Sequence, residues 1–294
     1  MGGRVNSTLH IAKPPSPCTY RAAPPALSDI GGSFEKHSCL SIYRDTMAGS
    51  PIICFQEPPM NLDGYDRSLS VSKQPIAIPN VFRDAMEVRE EVFVKEQGCS
   101  ILMEADPDDA RSCHWVVYDK LPGESTATAA GTLRLVPFPH DPHPLPGWSW
   151  DFDPEAEDPV MASKPISYVV DRATAYHDGK EPYLKLGRWA VLKEFRGRGL
   201  ANLLVKTAFD WAKKNPKFFN PPLDVSPRDQ AGLTMDANQT VWRGLVCIHA
   251  QEYIAPSWAK LGFKIDEGMG KWTEAGIPHV GMFQRLMLPE GTEG

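Results

Sequence analysis

From residue 75 onward the apolar positions switch between short continuous runs and a repeat of three to four, which predicts strands interleaved with helices. Leu184–Val191 is apolar, β-branched or aromatic enough for a buried strand. After it, Leu200, Leu204, Ala208 and Trp211 recur at helical spacing, with Asn202, Lys206, Asp210 and Lys213 opposite. One side of that helix therefore packs on a sheet and the other meets water. Upstream, Val81, Ala85, Val88 and Val92 form a second stripe, with Arg83, Asp84, Glu87 and Glu90 on the wet side and Asn80 placed to cap it. A short strand is predicted at 76–78, and others at 113–118, 130–136, 245–249 and 280–287. Residues 256–261 read as a short helix with proline in its first turn, stopped by Gly262.

Between the strand ending at Val191 and the helix lies Arg196-Gly197-Arg198-Gly199-Leu200-Ala201. Glycines admit backbone angles that side chains forbid, so successive N–H groups can face one point, and the first helical turn adds further N–H groups without partners. Such a helix start favours an anion, phosphate above all. Neither the Walker nor the Rossmann spacing is met. The pattern that fits is Arg/Gln-x-x-Gly-x-Gly/Ala, through Arg196, Gly199 and Ala201. Arg196 and Arg198 either pair with phosphate or sit in solvent.

Composition narrows the picture. A length of 294 residues allows one sizeable domain with extra segments. The net charge of −6 argues against a general nucleic-acid binder, and no apolar run approaches the roughly 20 residues that span a bilayer. Cys18, Cys39, Cys54, Cys99, Cys113 and Cys247 contain no CxxC pair, so reduced thiols in the cytoplasm are expected. Glu104, Asp106, Asp108 and Asp109 lack metal-binding spacing, and no metal is expected; the group reads as a solvated loop or as a rim that attracts amines. Residues 1–72, rich in Pro, Gly and Ser, read as a disordered or targeting extension. Before Asp29 they hold Arg4, Lys13 and Arg21 and no acid, as in mitochondrial transit peptides, although many prolines oppose that reading. The folded domain is expected over 75–288, with insertions at about 137–180 and 215–244.

On its phosphate-turn pattern the chain resembles the GNAT superfamily of acyl-CoA N-acyltransferases, in which that turn holds the pyrophosphate of coenzyme A. The helix ending Val92-Phe93 and then Glu96-Gln97-Gly98, together with Ala250-Gln251, Leu261-Gly262-Phe263 and the run from Gly276 to Met282, is similar to small acetyltransferases related to glucosamine-phosphate N-acetyltransferases. The resemblance implies an α/β (α+β) GNAT fold: a mixed central sheet of six to seven strands with flanking helices, splayed between the fourth and fifth strands. It implies acetyl-CoA as cosubstrate, held by the backbone of Trp189, Ala190 and Val191, by the turn of Arg196, Gly197, Arg198, Gly199, Leu200 and Ala201, and by Gln251. The implied acceptor is a small amine such as an amino sugar or its 6-phosphate, for which Arg134, Arg172 and Arg188 are candidate phosphate ligands. Polyamines or protein lysines would instead suit an acidic rim. A homodimer is compatible with all of these.

An alkyl amine of pKa about 10 is protonated at neutral pH and needs a base. Glu252, His249, His114 and Glu104 are candidates that the sequence does not separate, and His249 is equally read as a satisfied core histidine. For the departing thiolate, many family members carry a tyrosine four residues before the glycine of the Gly-Phe pair. Trp258 stands there, and an indole does not titrate. Tyr253 is the nearest phenol, as proton donor or as a half-buried structural tyrosine. A CoA-binding domain without turnover is the alternative that Trp258 raises.

Overall fold

In the computed structural model, which describes residues 50–150, 170–220 and 241–289, one mixed sheet carries the protein. Its strands are β1 (Ile52–Gln56), β2 (Cys113–Asp119), β3 (Thr128–Val136), β4 (Ser149–Trp150), β5 (Leu184–Val191), β6 (Leu245–Gln251), β7 (Lys264–Ile265), β8 (Lys271–Glu274) and β9 (Ile277–Arg285). They lie in the order β1-β2-β3-β5-β6-β9-β8-β4, with β7 added to β9. Pairing is antiparallel except where β5 meets β6 and β4 meets β8. Helix α1 (Asn80–Arg89) continues as a π-helical segment, Glu90–Glu96; α2 is Leu200–Lys214 and α3 is Ala255–Lys260. The expected mixed sheet with flanking helices is present, and the short strands β4 and β7 bring its count to nine among the described residues.

Helices cover both faces, so β2 is buried along its whole length instead of alternating. Ile53, Phe55, Trp115, Val117, Leu133 and Leu135 share a core with Leu200, Leu204, Ala208 and Trp211 of α2. Phe55 stacks on Trp115 with ring centroids 4.8 Å apart, and Trp211 meets Trp115 edge-on at 5.8 Å. Each large side chain buried this way contributes about 1.5–3 kcal/mol. On the other face Cys54, Val116 and Tyr118 meet Ala85 of α1, while Val88 and Val92 reach Ala190 of β5.

The fold begins earlier than the expected extension allows. Strand β1 pairs with β2, and Met60 and Val71 pack with Ile78 and Phe82, so residues 50–72 are part of the domain. The apolar run there is only four residues long and flanked by proline and polar positions, and its partner strand lies some sixty residues on. Residues 1–49 of that extension lie outside the described residues, as do 151–169 and 221–240 of the two insertions. Residues 76–78 form a turn in place of the expected strand, Ile78 N donating to Pro75 O at 3.1 Å. Pro79, not Asn80, precedes α1, and no side chain caps it. Glu90, expected to face water, is buried and accepts from Val71 N at 3.0 Å.

The acidic group of 104–109 is more than a solvated loop or an amine-attracting rim, because its core is an ion network. Arg89 donates to Asp109 at 2.9 Å and to Glu104 at 3.3 Å, and Arg134 reaches both Asp106 and Asp109 at 2.7 Å. Glu104 and Asp109 are buried. Burial raises the Asp106 carboxyl, but Arg134 and Arg188 outweigh it and hold it well below the ordinary range; Arg89 and Arg134 do the same for Asp109.

This network predicts acid sensitivity. Burial pulls the His114 imidazole, which donates through Nε2 to Asp109 O at 3.0 Å, down to about 4. The unfolded imidazole takes its proton near pH 6.5, so stability present above that value is lost as pH falls toward 4, by about 3 kcal/mol. Asp106 and Asp109, depressed in the fold, extend the loss below pH 4. Urea midpoints at pH 7 and 4.5 should differ strongly, and His114→Gln should shrink that difference. An equal drop in the variant would remove His114 as the source.

Candidate functional site

After β5 the chain makes one 3-10 turn, Lys193–Phe195, and enters α2 through Gly197 and Gly199 at φ of +78° and +81°. Glycine occupies such angles without the steric cost a side chain brings. The consequence lies in the amides. Arg196 N reaches Lys193 O, and Leu203 N is the next to close, onto Gly199 O. Among the described residues, the amides of Gly197 through Asn202 have no acceptor within the chain. Consecutive donors at the start of a 15-residue helix form an anion site. A Cβ built at Gly197 or Gly199 would meet nothing within 4 Å, so the space beside them is open.

Both arginines of the turn have protein partners and do not sit free in solvent. Arg196 forks onto Glu96 at 2.7 and 2.6 Å and donates through Nε to Val191 O at 2.9 Å. Arg198 donates to Lys120 O at 3.0 Å, pairs with Asp119 at 3.0 Å and lies over the Phe195 ring. They brace the turn from two sides. The hydrogen bond from Arg196 also draws the Glu96 carboxyl below its usual value. The anion site itself is therefore made of backbone.

Beside the turn the sheet opens. Strands β5 and β6 pair only from Leu184 opposite Val246 to Leu186 opposite Ile248; beyond that β5 stays with β3 and β6 with β9. These are the fourth and fifth strands counted from β1, the place where a splay is expected. Strand β5 also carries a bulge, since Gly187 to Ala190 spans the same stretch as Arg134 to Thr132 of β3. Arg188 in the bulge has φ of +51°, held by its bonds to Asp106 at 2.9 Å and Met103 O at 3.0 Å. Trp189 turns to the helix, donating to Ala201 O at 3.0 Å and packing on Trp258 at 4.2 Å. A cleft of about 680 Å³ follows this gap, lined by Trp189 and Ala201 beside the turn and by Lys185, His249 and Glu274.

The structure brings Trp189, Ala190, Val191, Arg196, Ala201 and Gln251 together along the cleft. Gly197, Arg198 and Gly199 stand exposed in the turn, and Leu200 is buried in the core. Gln251 donates to Gln97, whose own amide donates to Tyr253 Oη at 3.4 Å, so a chain of polar side chains crosses the cleft from the π-helical segment. Tyr253 lines the cleft and is 67% exposed, unlike the half-buried structural tyrosine of one reading. Trp258 is buried against Trp189 and leaves no phenol at its position.

Three of the four candidate bases lose ground. Glu252 is outside the cleft lining and forms an ion pair with Lys271 at 2.6 Å. His114 is buried edge-on against Phe82, and Glu104 is bound to Arg89. His249 does line the cleft, but it is not a satisfied core histidine: its Nε2 is buried without a partner among the described residues, and Nδ1 is 3.9 Å from Glu274. Glu274 was missed. It precedes the Gly276 to Met282 run, points a carboxylate into the cleft, and accepts from Trp272 Nε1 at 2.6 Å through one oxygen only.

Residues 83–221 match the model of the acetyltransferase (GNAT) family. No curated protein matches the chain in sequence. Among solved structures, a Lactobacillus plantarum protein provisionally described as an N-acetyltransferase is 19% identical, with 81% of this chain and 99% of that one covered at a TM-score of 0.43. An acyl-CoA N-acyltransferase from Pseudomonas aeruginosa is 18% identical over 80% and 99%, with a TM-score of 0.41, and Escherichia coli ElaA is 15% identical over 79% and 99%, with a TM-score of 0.38. These likenesses are distant. The open amide turn lies inside the region, residues 83–221, that matches the acetyltransferase (GNAT) family, and the enzyme class that this match supports is an acyl-CoA-dependent acyltransferase.

Proposed function

We propose that the protein moves an acetyl group from acetyl-CoA to the primary amine of a small molecule, by direct attack within a ternary complex. The observation that carries this reading is the run of unpartnered amides from Gly197 to Asn202, opening beside a cleft in the β5–β6 gap. Those amides would hold the diphosphate, and the unpaired edge of β5 past Leu186 would take the pantetheine arm. Bound acetyl-CoA supplies a thioester carbonyl for the amine to attack. Glu274, with Oε2 free of hydrogen bonds among the described residues, would draw in the ammonium and take its proton directly or through water. Tyr253 accepts from Gln97 and so keeps its own hydroxyl proton for the departing sulfur.

The acceptor class favoured is a small amine without phosphate. A sugar phosphate calls for an uncommitted guanidinium, and all three candidates have partners: Arg134 and Arg188 in the ion network, Arg172 on Pro144 O, Gly268 O and Met269 O. An unphosphorylated amino sugar is one member of the class.

Acetyl-CoA incubated with amino sugars, their phosphates, polyamines and lysine peptides should release free thiol, fastest with an unphosphorylated small amine. Binding of acetyl-CoA without acceleration by any amine would favour a carrier-binding domain without turnover, the reading that Trp258 supports. Tyr253→Phe should lower turnover by about 100-fold while acetyl-CoA affinity stays unchanged. Unaltered turnover and pH profile would remove Tyr253 from the reaction.

A further inference from the structure

The insertion before β5 places histidines behind the cleft wall. Cys247 and His249 stand two residues apart on β6, facing the same way, and His143 of the insertion lies over them. One donor atom from each of these three residues lies within 4.8 Å of the other two. Cys247 and His143 are buried.

Hydrogen bonds fix the His143 tautomer. The carbonyl of Glu181 can only accept, so His177 Nε2, 2.9 Å away, donates to it, and His177 Nδ1 keeps a lone pair. That lone pair accepts from His143 Nε2 at 3.1 Å, which leaves His143 Nδ1 unprotonated. His143 Nδ1 and His249 Nε2 are both buried with no hydrogen-bond partner among the described residues. Buried polar atoms in that state are rare and costly, and two of them beside a buried thiol ask for a common occupant.

We propose that His143, Cys247 and His249 bind a divalent cation of the zinc class. Two imidazole nitrogens and one thiolate suit zinc and not magnesium or calcium, which take oxygen donors. Tetrahedral zinc holds such ligand atoms roughly 3.3–3.6 Å apart, so the side chains draw together by about 1 Å on binding. The chain from His143 through His177 to Glu181 O is the outer hydrogen bonding that orients a ligating imidazole. A second cluster, His143 with Asp171 and His177, draws on the nitrogens that this chain already engages. Lys185, opposite Cys247 on β5, brings a positive charge; the Cys247 thiolate and Asp171, 3.7 Å from His143, offset it. Binding releases the thiol proton of Cys247. The ion would pin the insertion to β6 and set His249 in the cleft wall, with its remaining coordination position toward the cleft. This inference is independent of the proposed acceptor and of turnover.

The full chain, incubated with excess zinc and desalted, should retain about one zinc per molecule by elemental analysis. Cobalt loading should give a thiolate-to-metal charge-transfer band that Cys247→Ser abolishes. Zinc should raise the Tm of the wild type, and chelator should lower it. If Cys247→Ser does not fold, His249→Gln, at the cleft wall, carries the test: zinc retention should fall at least about tenfold and the Tm rise should vanish. Water alone between the three side chains would leave the desalted protein without zinc. That result, or the same zinc content and cobalt band in the wild type and either variant, overturns the proposal.

Discussion

Gly199→Val should abolish measurable acetyl-CoA binding and leave a folded protein. Gly199 sits at φ of +81°, where a β-branched residue is strained, and its N–H belongs to the run of unpartnered donors. Valine either tolerates the strain and projects its methyl groups into the open space beside the turn, or flips the peptide and turns amides away. Hydrogen bonds to a charged group contribute about 1.5–3 kcal/mol each. Losing two would weaken binding by about 3–6 kcal/mol, or roughly two to four powers of ten. Titration calorimetry with far-UV circular dichroism as control reads this directly. Unchanged affinity in a folded variant would mean that the diphosphate is held elsewhere.

The largest expected effect on stability belongs to Asp109→Ala. Asp109 is fully buried and lies between Arg89, itself 1% exposed, and Arg134. Without that carboxylate the two guanidinium groups keep Glu104 and Asp106 as their ion-paired partners among the described residues. Removing one partner of a buried pair costs about 3–5 kcal/mol, a large part of the 5–15 kcal/mol of a typical domain. Asp108→Ala, which removes an exposed partner of Arg111, should cost less than about 1 kcal/mol. Urea unfolding at neutral pH compares the two. Similar small losses in both would show that the network is screened by solvent. The consequence reaches the site, because the same network grips Arg188 at its unfavourable angle and so holds the β5 bulge beside the cleft.

Local patterns made much of this architecture legible. Strand β5 has the boundaries that its apolar run predicts, and α2 begins at Leu200, where its stripe begins. The turn between them could be read because its chemistry is set by backbone geometry, which glycine spacing encodes within a few residues. What escaped notice depends on partners distant in sequence. Arg89, Arg134 and Arg188 come from α1, β3 and β5, and no local spacing announces that they share Glu104, Asp106 and Asp109. The partners of Arg196 and Arg198 are hidden for the same reason, since Glu96 and Asp119 are contributed from about 80 to 100 positions away. The position of His249, read as a candidate base or a core histidine, depends on the distant insertion that places His143 over it. Strand β1 is not legible locally, because four apolar residues among prolines carry no period of their own.

Amide resonances test the central claim most directly. In a nitrogen–proton correlation spectrum of the labelled protein, coenzyme A should shift the N–H peaks of Gly197, Gly199 and Ala201, whereas pantetheine, which lacks the diphosphate, should leave them in place. Coenzyme A that binds without moving any amide from Gly197 to Asn202 would contradict the account.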